Sequence, residues 1–168
     1  METFEAIRTL RAVRAYRDAP IPDEIVRRIV EAGRLTASAG NQQPWRFIVV
    51  RDKDTLRQLG ALAPTGRYIA QTPLAVVVAI TKSDNAVSDA SRAIQSMLLA
   101  AWSEGVGSNW VGFHHLEAVK APLSIPDDLD VLAILPFGYP AEPISGENKK
   151  RKSLAEVASR ERFSQPFE

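Results

Sequence analysis

Apolar side chains recur at helical spacing in two segments near the N-terminus. Phe4, Ile7 and Leu10 share one face of a short predicted helix over residues 3–10. A second helix is predicted over residues 22–35, where apolar positions repeat every three to four residues. The proline and two acids at its start suit a first helical turn.

Continuous apolar runs predict strands. Residues 74–80 form an unbroken, β-branched run, which predicts a strand buried on both faces. Residues 46–50 and 131–135 predict two more strands, the latter stopped by Pro136. Residues 106–113 predict a short strand or extended segment.

A long helix is predicted over residues 89–104, capped by Ser88 and ended by Gly105. Its apolar positions cover more than one stripe and include many small side chains. Such a helix either lies at the centre of the fold or packs against a second subunit. Its composition therefore predicts an obligate dimer, with the central position in one chain as the alternative.

Three shorter helices, over residues 52–59, 116–121 and 153–158, complete the predicted elements. Helices and strands alternate without a regular strand–helix–strand repeat, which favours an α+β fold over a doubly wound α/β fold. No repeat, low-complexity tract or linker divides the chain, so residues 1–168 are predicted to form one domain.

The segment between the second helix and the first strand is unusually polar. Ser38, Ala39 and Gly40 precede three adjacent amide side chains, and Pro44 and Trp45 follow. Small residues allow another backbone or a flat ligand to come close, and amides both donate and accept hydrogen bonds. The alternative is an ordinary polar turn before a core tryptophan.

Composition excludes several classes of protein. The 168 residues carry a net charge of +1, so no global field favours nucleic acid or an anionic membrane. There is no cysteine, which excludes disulfides, thiolate metal sites and cysteine nucleophiles. The acidic N-terminus resembles no signal peptide, and no apolar run nears the ~20 residues of a membrane helix. We therefore expect a cytoplasmic protein.

The chain offers few catalytic side chains. It contains no dinucleotide fingerprint, no Walker loop and no Gly-x-Ser-x-Gly elbow. His114 and His115 are the only histidines, and with Glu117 they lack a third convergent metal ligand. We therefore predict no metal site and no histidine general base. A cofactor is expected to carry the chemistry.

Two cationic runs are candidate anion sites. Arg11, Arg14 and Arg17 lie within seven residues, and residues 149–152 are all basic. Guanidinium geometry suits phosphate, although a solvated surface is the usual role of such a run.

Several motifs together resemble the FMN-dependent nitroreductase superfamily. Residues 10–16, Leu-Arg-Ala-Val-Arg-Ala-Tyr, resemble its Arg-Arg-Ser-x-Arg-x-Phe signature. Residues 37–45, Ala-Ser-Ala-Gly-Asn-Gln-Gln-Pro-Trp, resemble its Pro-Ser-x-x-Asn-x-Gln-Pro-Trp stretch and are the most specific match. Further matches follow in the family's order, at residues 89–104, 110–113, 135–140 and 149–154. Leu10, Ala12 and Ala37 depart from the family pattern and put the individual phosphate contacts in question.

The resemblance implies a central, mostly antiparallel sheet flanked by helices, in a homodimer with FMN at the subunit interface. Arg11 and Arg14 would hold the phosphate with Lys149 and Arg151, and Arg14 or Arg67 would supply a cation near the pyrimidine ring. The remaining implied cofactor residues are Ala37, Ser38, Ala39, Asn41 and Gln43, which reach the flavin of the other subunit, and Val111 and Gly112, whose backbone amides face flavin N5.

The implied activity is reduction of nitroaromatics, quinones or related small-molecule acceptors by NADH or NADPH, in a ping-pong mechanism. No catalytic side chain is implied, because the flavin carries the chemistry. The alternatives are a flavin-binding protein without turnover and a specialised family member without general nitroreductase activity.

Overall fold

The computed structural model describes residues 1–112, 116–144 and 149–167. The α-helices are α1 (Thr3–Thr9), α2 (Asp23–Arg34), α3 (Lys53–Leu62), α4 (Ala86–Ser103) and α5 (Leu154–Val157). The strands are β1 (Trp45–Val50), β2 (Leu74–Thr81), β3 (Gly107–Ser108) and β4 (Leu129–Gly138). Short 3₁₀ turns cover Ala39–Asn41, Arg67–Gln71, Glu117–Val119 and Ala121–Leu123.

The four strands form one antiparallel sheet in the order β1-β2-β4-β3. Helices pack on both faces of this sheet, so the predicted α+β class and the antiparallel sheet are confirmed. Strand β2 lies in the middle, with Leu74 opposite Phe137 on one side and Val50 opposite Ala75 on the other. Its central position explains why its apolar run is unbroken.

Two hydrophobic clusters cover the two faces of β2. Val76 and Val78 join the cluster under α2 and α4, whereas Ala75 and Val77 join the cluster under α3. Alternate side chains of a strand point to opposite faces, so both faces of β2 must be apolar. The prediction of a strand buried on both faces is confirmed.

Strand β4 continues through Pro136, so the prediction that this proline stops the strand is wrong. The N–H and carbonyl of Ile134 both bond to Val111, on the side of β4 away from β2. By the alternation of a strand, the missing Pro136 N–H faces that same side. The pairing of Pro136 with Ala75 of β2 therefore loses no donor.

Helix α4 begins at Ala86 after Asn85, so the predicted Ser88 cap is wrong. Six of its apolar residues are buried within the chain, mainly against α2 and the sheet, whereas Val87 is exposed and Leu98 is partly buried. Gly33 of α2 allows this close approach, since a Cβ there would lie 3.0 Å from Met97 Cγ. One face of α4 is therefore central to the fold of this chain, and the homodimer remains a prediction.

Residues 116–121 do not form the predicted helix. Two 3₁₀ turns occupy residues 117–119 and 121–123, and Pro122 lies in the second. Within the described residues, no helix combines the length and hydropathy required to cross a bilayer.

Candidate functional site

The cationic segment 11–17 is attached to the sheet beside β3 and the end of β4. The Val13 N–H donates to the Ser108 carbonyl over 2.9 Å, and the Arg17 N–H donates to the Tyr139 carbonyl over 2.8 Å. These bonds place Arg11 and Arg14 at the Gly138 end of β4.

Tyr16 holds this segment against the end of β4. Its hydroxyl donates to the Val13 carbonyl over 2.6 Å, and its ring covers Gly138, where a Cβ would lie 2.7 Å from the ring. Burial strongly raises the pKa of Tyr16, and the nearby Arg14 opposes that effect only in part. The phenol therefore stays neutral and serves as a hydrogen-bond donor.

The C-terminal basic run returns to the same cationic segment. Lys149 Nζ donates to the Ile7 carbonyl over 2.8 Å. Burial, followed by the positive charges of Arg151, Arg11 and Arg8, lowers the pKa of Lys149. These like charges therefore lie close enough to repel one another, and an anion bound among them would be stabilised.

A cavity of about 400 Å³ opens beside this cationic cluster. Residues 11–15 line one side and residues 140–144 line the other. The structure thus brings Arg11 and Arg14 to one cavity, and it brings Lys149 close to Arg11, with Arg151 two residues further along the chain. These four cations are the ones predicted to hold a phosphate.

The polar loop 37–43 has an unusual backbone. Gly40, Asn41 and Gln43 have φ values of 57°, 55° and 48°. The Ser38 Oγ accepts from the Gln43 N–H over 2.9 Å, and Gln43 Nε2 donates to the Asn41 carbonyl over 3.2 Å. Ser38 and Gln43 therefore shape the loop, which leaves the exposed side chain of Asn41 at its surface, along with Ala37.

Sequence reasoning missed one residue of this region, Asp89. It lies in the first turn of α4 with 1% of its surface exposed. Asp89 Oδ2 accepts from the Ala39 N–H over 3.0 Å, and Oδ1 pairs with Arg92. The available signal was an acid within an apolar helix, but only the tertiary structure reveals its partner.

The backbone at residues 111 and 112 is held by a hydrogen bond at Val111 and has a positive φ at Gly112. The Val111 N–H donates to Ile134 over 3.0 Å, so this amide is not available to flavin N5 and that part of the prediction is corrected. Gly112 has φ of 108°, and a Cβ there would lie 2.3 Å from Leu116 Cδ1. Only glycine fits this position, and it borders an 800 Å³ cavity that Trp110 and Leu132 also line.

The structure gives Trp45 a packing role. Trp45 is buried and stacks on Phe47 with ring centroids 6.2 Å apart, which is the packing role. His114 and His115 lie outside the described residues. Among residues 1–112, 116–144 and 149–167, no group of three histidines or acids could hold a metal ion.

One chain does not bring the two halves of the predicted site together. The polar loop precedes Trp45, which lies opposite Ile80 at the Asp130 end of β4, and β1 is an edge strand. The cationic segment lies at the Gly138 end and the opposite edge. Strand rise separates the two by roughly 25 Å along β4, in addition to the width of the sheet.

Comparison with known proteins defines the class. A model of the nitroreductase family matches residues 7–81 and 69–139. A "Putative NADH dehydrogenase/NAD(P)H nitroreductase" of Methanothermobacter thermautotrophicus is 36% identical, over 84% of this chain and 79% of that protein. The 5,6-dimethylbenzimidazole synthase of Rhodospirillum rubrum is 30% identical, over 79% of each chain.

A solved structure with a bound cofactor shares the fold. A crystal structure described as "a putative nitroreductase in complex with fmn", from Desulfovibrio desulfuricans, aligns with a TM-score of 0.84 and 30% identity. The alignment covers 97% of this chain and 98% of that chain. The antiparallel sheet and its packed helices therefore define a nitroreductase-like fold. The chain belongs to the nitroreductase family.

Proposed function

We propose that this protein is a homodimeric, FMN-dependent NAD(P)H oxidoreductase that reduces nitroaromatics, quinones or related small molecules. The observation that carries the proposal is that Arg11 and Arg14 line one cavity at the Gly138 end of β4 and that the C-terminal segment brings Lys149 close to Arg11. The FMN-bound relative from Desulfovibrio desulfuricans supports the choice of cofactor.

Two separate groups of residues suit the chemistry of FMN, one its phosphate and the other its ring. Burial and then like-charge repulsion lower the pKa of Lys149, and a phosphate at the cationic cluster would offset the repulsion. Leu116 already fills the space that a Cβ at position 112 would take, so Gly112 presents only backbone to the cavity that it lines, and we place the flat ring against that backbone. With Val111 occupied by Ile134, we assign the amide contact with the ring to Gly112.

FMN, when bound, supplies the hydride chemistry that links a nicotinamide donor to an acceptor, and we propose that the two take turns at one site in a ping-pong mechanism. The side chains of this protein then bind and orient. Arg11 and Arg14 neutralise the phosphate, and Tyr16 holds their segment in place. No side chain is assigned a proton-transfer step. We assign the protein to the cytoplasm, since a chain without cysteine is compatible with a reducing compartment.

We infer the dimer from the distance between the polar loop 37–43 and the cationic segment 11–17 within one chain. Ser38, Ala39 and Asn41 reach a flavin held by the cations only if they come from the partner subunit. Exposed apolar side chains on the terminal segments supply a surface for that partner, since Phe4 and Phe163 are 70% and 96% exposed. Isolated exposed apolar residues are ordinary, but this set lies on both termini and includes Val157 and Phe167.

We predict a dimer in solution. Multi-angle light scattering at micromolar concentration is expected to give about twice the chain mass of 18.5 kDa. The flavin absorbance should elute with that dimer. A stable monomer that retains flavin would contradict the shared site.

We predict that the purified protein is yellow and that NADH or NADPH bleaches it under anaerobic conditions. Adding a nitroaromatic or a quinone should restore the oxidised spectrum. A yellow protein that neither nucleotide bleaches would favour flavin binding without this activity. A protein that takes up no FMN would refute the proposal.

The acceptor is tested separately, because the family includes members with other named activities, such as the Rhodospirillum rubrum synthase. Anaerobically reduced protein should be mixed with a panel of nitroaromatics and quinones, and reoxidation followed at the flavin absorbance. Bleaching by NAD(P)H without reoxidation by any member of the panel would favour a specialised family member.

A further inference from the structure

The buried carboxylate of Asp89 joins α4 to the polar loop 37–43, just after the contact in which Thr36 Oγ1 donates to Ser96 Oγ over 2.9 Å. Asp89 has 1% of its surface exposed, and both of its oxygens have partners. Oδ1 pairs with Arg92 one turn later on α4, and Oδ2 accepts from the Ala39 N–H of the polar loop. Burial of a charged group is unfavourable without such partners, so each of the two contacts stabilises the buried carboxylate.

The loop that Asp89 holds has a backbone that requires an anchor. Gly40, Asn41 and Gln43 all lie in the left-handed region, which is unfavourable for the two residues with side chains. The bond between Ser38 Oγ and the Gln43 N–H closes the loop on itself and does not attach it to anything else. The bond from Ala39 to Asp89 attaches the loop to α4.

We propose that Asp89 is a positioning residue for cofactor binding. By accepting from the Ala39 N–H, Asp89 keeps the loop in the conformation in which Ser38 and Asn41 contact the flavin of the partner subunit. This inference rests on the proposed function, because it assigns the loop to a flavin site. Asp89 itself touches neither cofactor nor substrate.

The energetic reason is preorganisation. A ligand that binds only one conformation of a loop loses apparent affinity in proportion to the fraction of molecules in that conformation. Without the Asp89 bond, the left-handed residues are free to relax, and the competent fraction falls. A fraction of about one tenth corresponds to about tenfold weaker binding.

A purely structural role for Asp89 makes a different prediction. An acid in the first turn of a helix stabilises that helix through the dipole, and a pair with Arg92 three residues later adds to this. Neither effect involves Ala39. If these effects are the whole role, Asp89 variants unfold at lower temperature but bind flavin normally.

Two substitutions remove the same bond from opposite sides. Asp89→Ala removes the acceptor, and Ala39→Pro removes the N–H donor while leaving the Asp89–Arg92 pair. Proline suits position 39, because Ala39 is the first residue of a 3₁₀ turn. Ser38, with φ of −132° and ψ of 156°, already has the extended conformation that a following proline requires. Each variant is expected to weaken FMN binding about tenfold.

The double variant tests whether the two act through one bond. If they do, Asp89→Ala combined with Ala39→Pro should lose about as much FMN affinity as either alone. Arg92→Ala is the matched control, since it breaks the other half of the Asp89 contacts and leaves the loop bond intact. Arg92→Ala should bind FMN within about twofold of the unmodified protein, and Asp89→Asn, which can still accept from Ala39, within about threefold.

FMN affinities are measured by flavin fluorescence titration of the dimer, and unfolding temperatures of the same samples are recorded in parallel. The inference is overturned if Asp89→Ala or Ala39→Pro keeps the unmodified affinity, if the double variant loses the product of the two single losses, or if Arg92→Ala loses as much as Asp89→Ala. Should Asp89→Ala not fold, Ala39→Pro and Asp89→Asn decide the question. Failure of the unmodified protein to bind FMN would instead refute the proposed function.

Discussion

Replacement of Arg11 or Arg14 by alanine is expected to weaken FMN binding by about ten- to a hundredfold. A hydrogen bond to a charged group contributes roughly 1.5–3 kcal/mol, and each ~1.4 kcal/mol is a factor of ten in affinity. Leu10 stands at the first arginine of the signature that residues 10–16 resemble, so we expect the remaining cations to carry more of the phosphate interaction. Both arginines border the cavity beside β4.

Comparison of FMN with riboflavin separates two roles for these arginines. Riboflavin has no phosphate, so loss of a phosphate-binding arginine should weaken riboflavin much less than FMN. Loss of an arginine that faces the flavin ring should weaken both ligands alike and lower the reduction potential. Titration of each variant with both ligands, followed by potentiometry, distinguishes these outcomes.

Arg57→Ala is the control for these two variants, because Arg57 lies on α3 in a surface pair with Asp54. It should change neither affinity. If Arg11→Ala and Arg14→Ala also leave both affinities within about twofold, well under 1 kcal/mol, the cationic segment is a solvated surface. The assignment of the phosphate would then be wrong.

Phe137→Ala is expected to lower the free energy of unfolding by about 3–5 kcal/mol, the range for truncation of a buried phenylalanine. Phe137 has 0% of its surface exposed, in the cluster beneath α2 and α4. Its position opposite Leu74 leaves little room for the surrounding strands to fill the cavity. For a chain of this size the unfolding temperature should fall by roughly 6–20 °C.

Urea unfolding of flavin-free protein measures this loss, since bound ligand would add its own stabilisation. Val49→Ala is the control, because Val49 is a strand residue on β1 with 42% of its surface exposed. Its effect should stay within about 0.5 kcal/mol. A Phe137→Ala variant that unfolds at the same urea concentration as the Val49→Ala variant would show that this part of the core is loosely packed.

The elements with strong local signals could be predicted from the sequence. The helix predicted over residues 22–35 is α2. It buries a single apolar stripe, so the helical spacing of its apolar positions is visible in the local sequence. The run over residues 74–80 is β2, since a strand in the middle of a sheet has two apolar faces. The errors at Pro136 and Ser88 have another origin. Whether a proline interrupts a ladder depends on the side to which its nitrogen points, and a helix start depends on neighbours outside the helix.

The sequence alone determined the composition of the candidate site, and with it the family. The sequence shows the chemical groups of the site without any knowledge of the fold. They are Arg11 and Arg14, the amides around Asn41, and Gly112. Their partners were decided only by the tertiary structure. The Val111 N–H donates to the Ile134 carbonyl of β4. The C-terminal segment folds back so that Lys149 lies near Arg11. The packing of α4 brings Asp89 within hydrogen-bond distance of Ala39. Each of these contacts joins residues far apart in the chain, so no local pattern of apolar and polar positions encodes it.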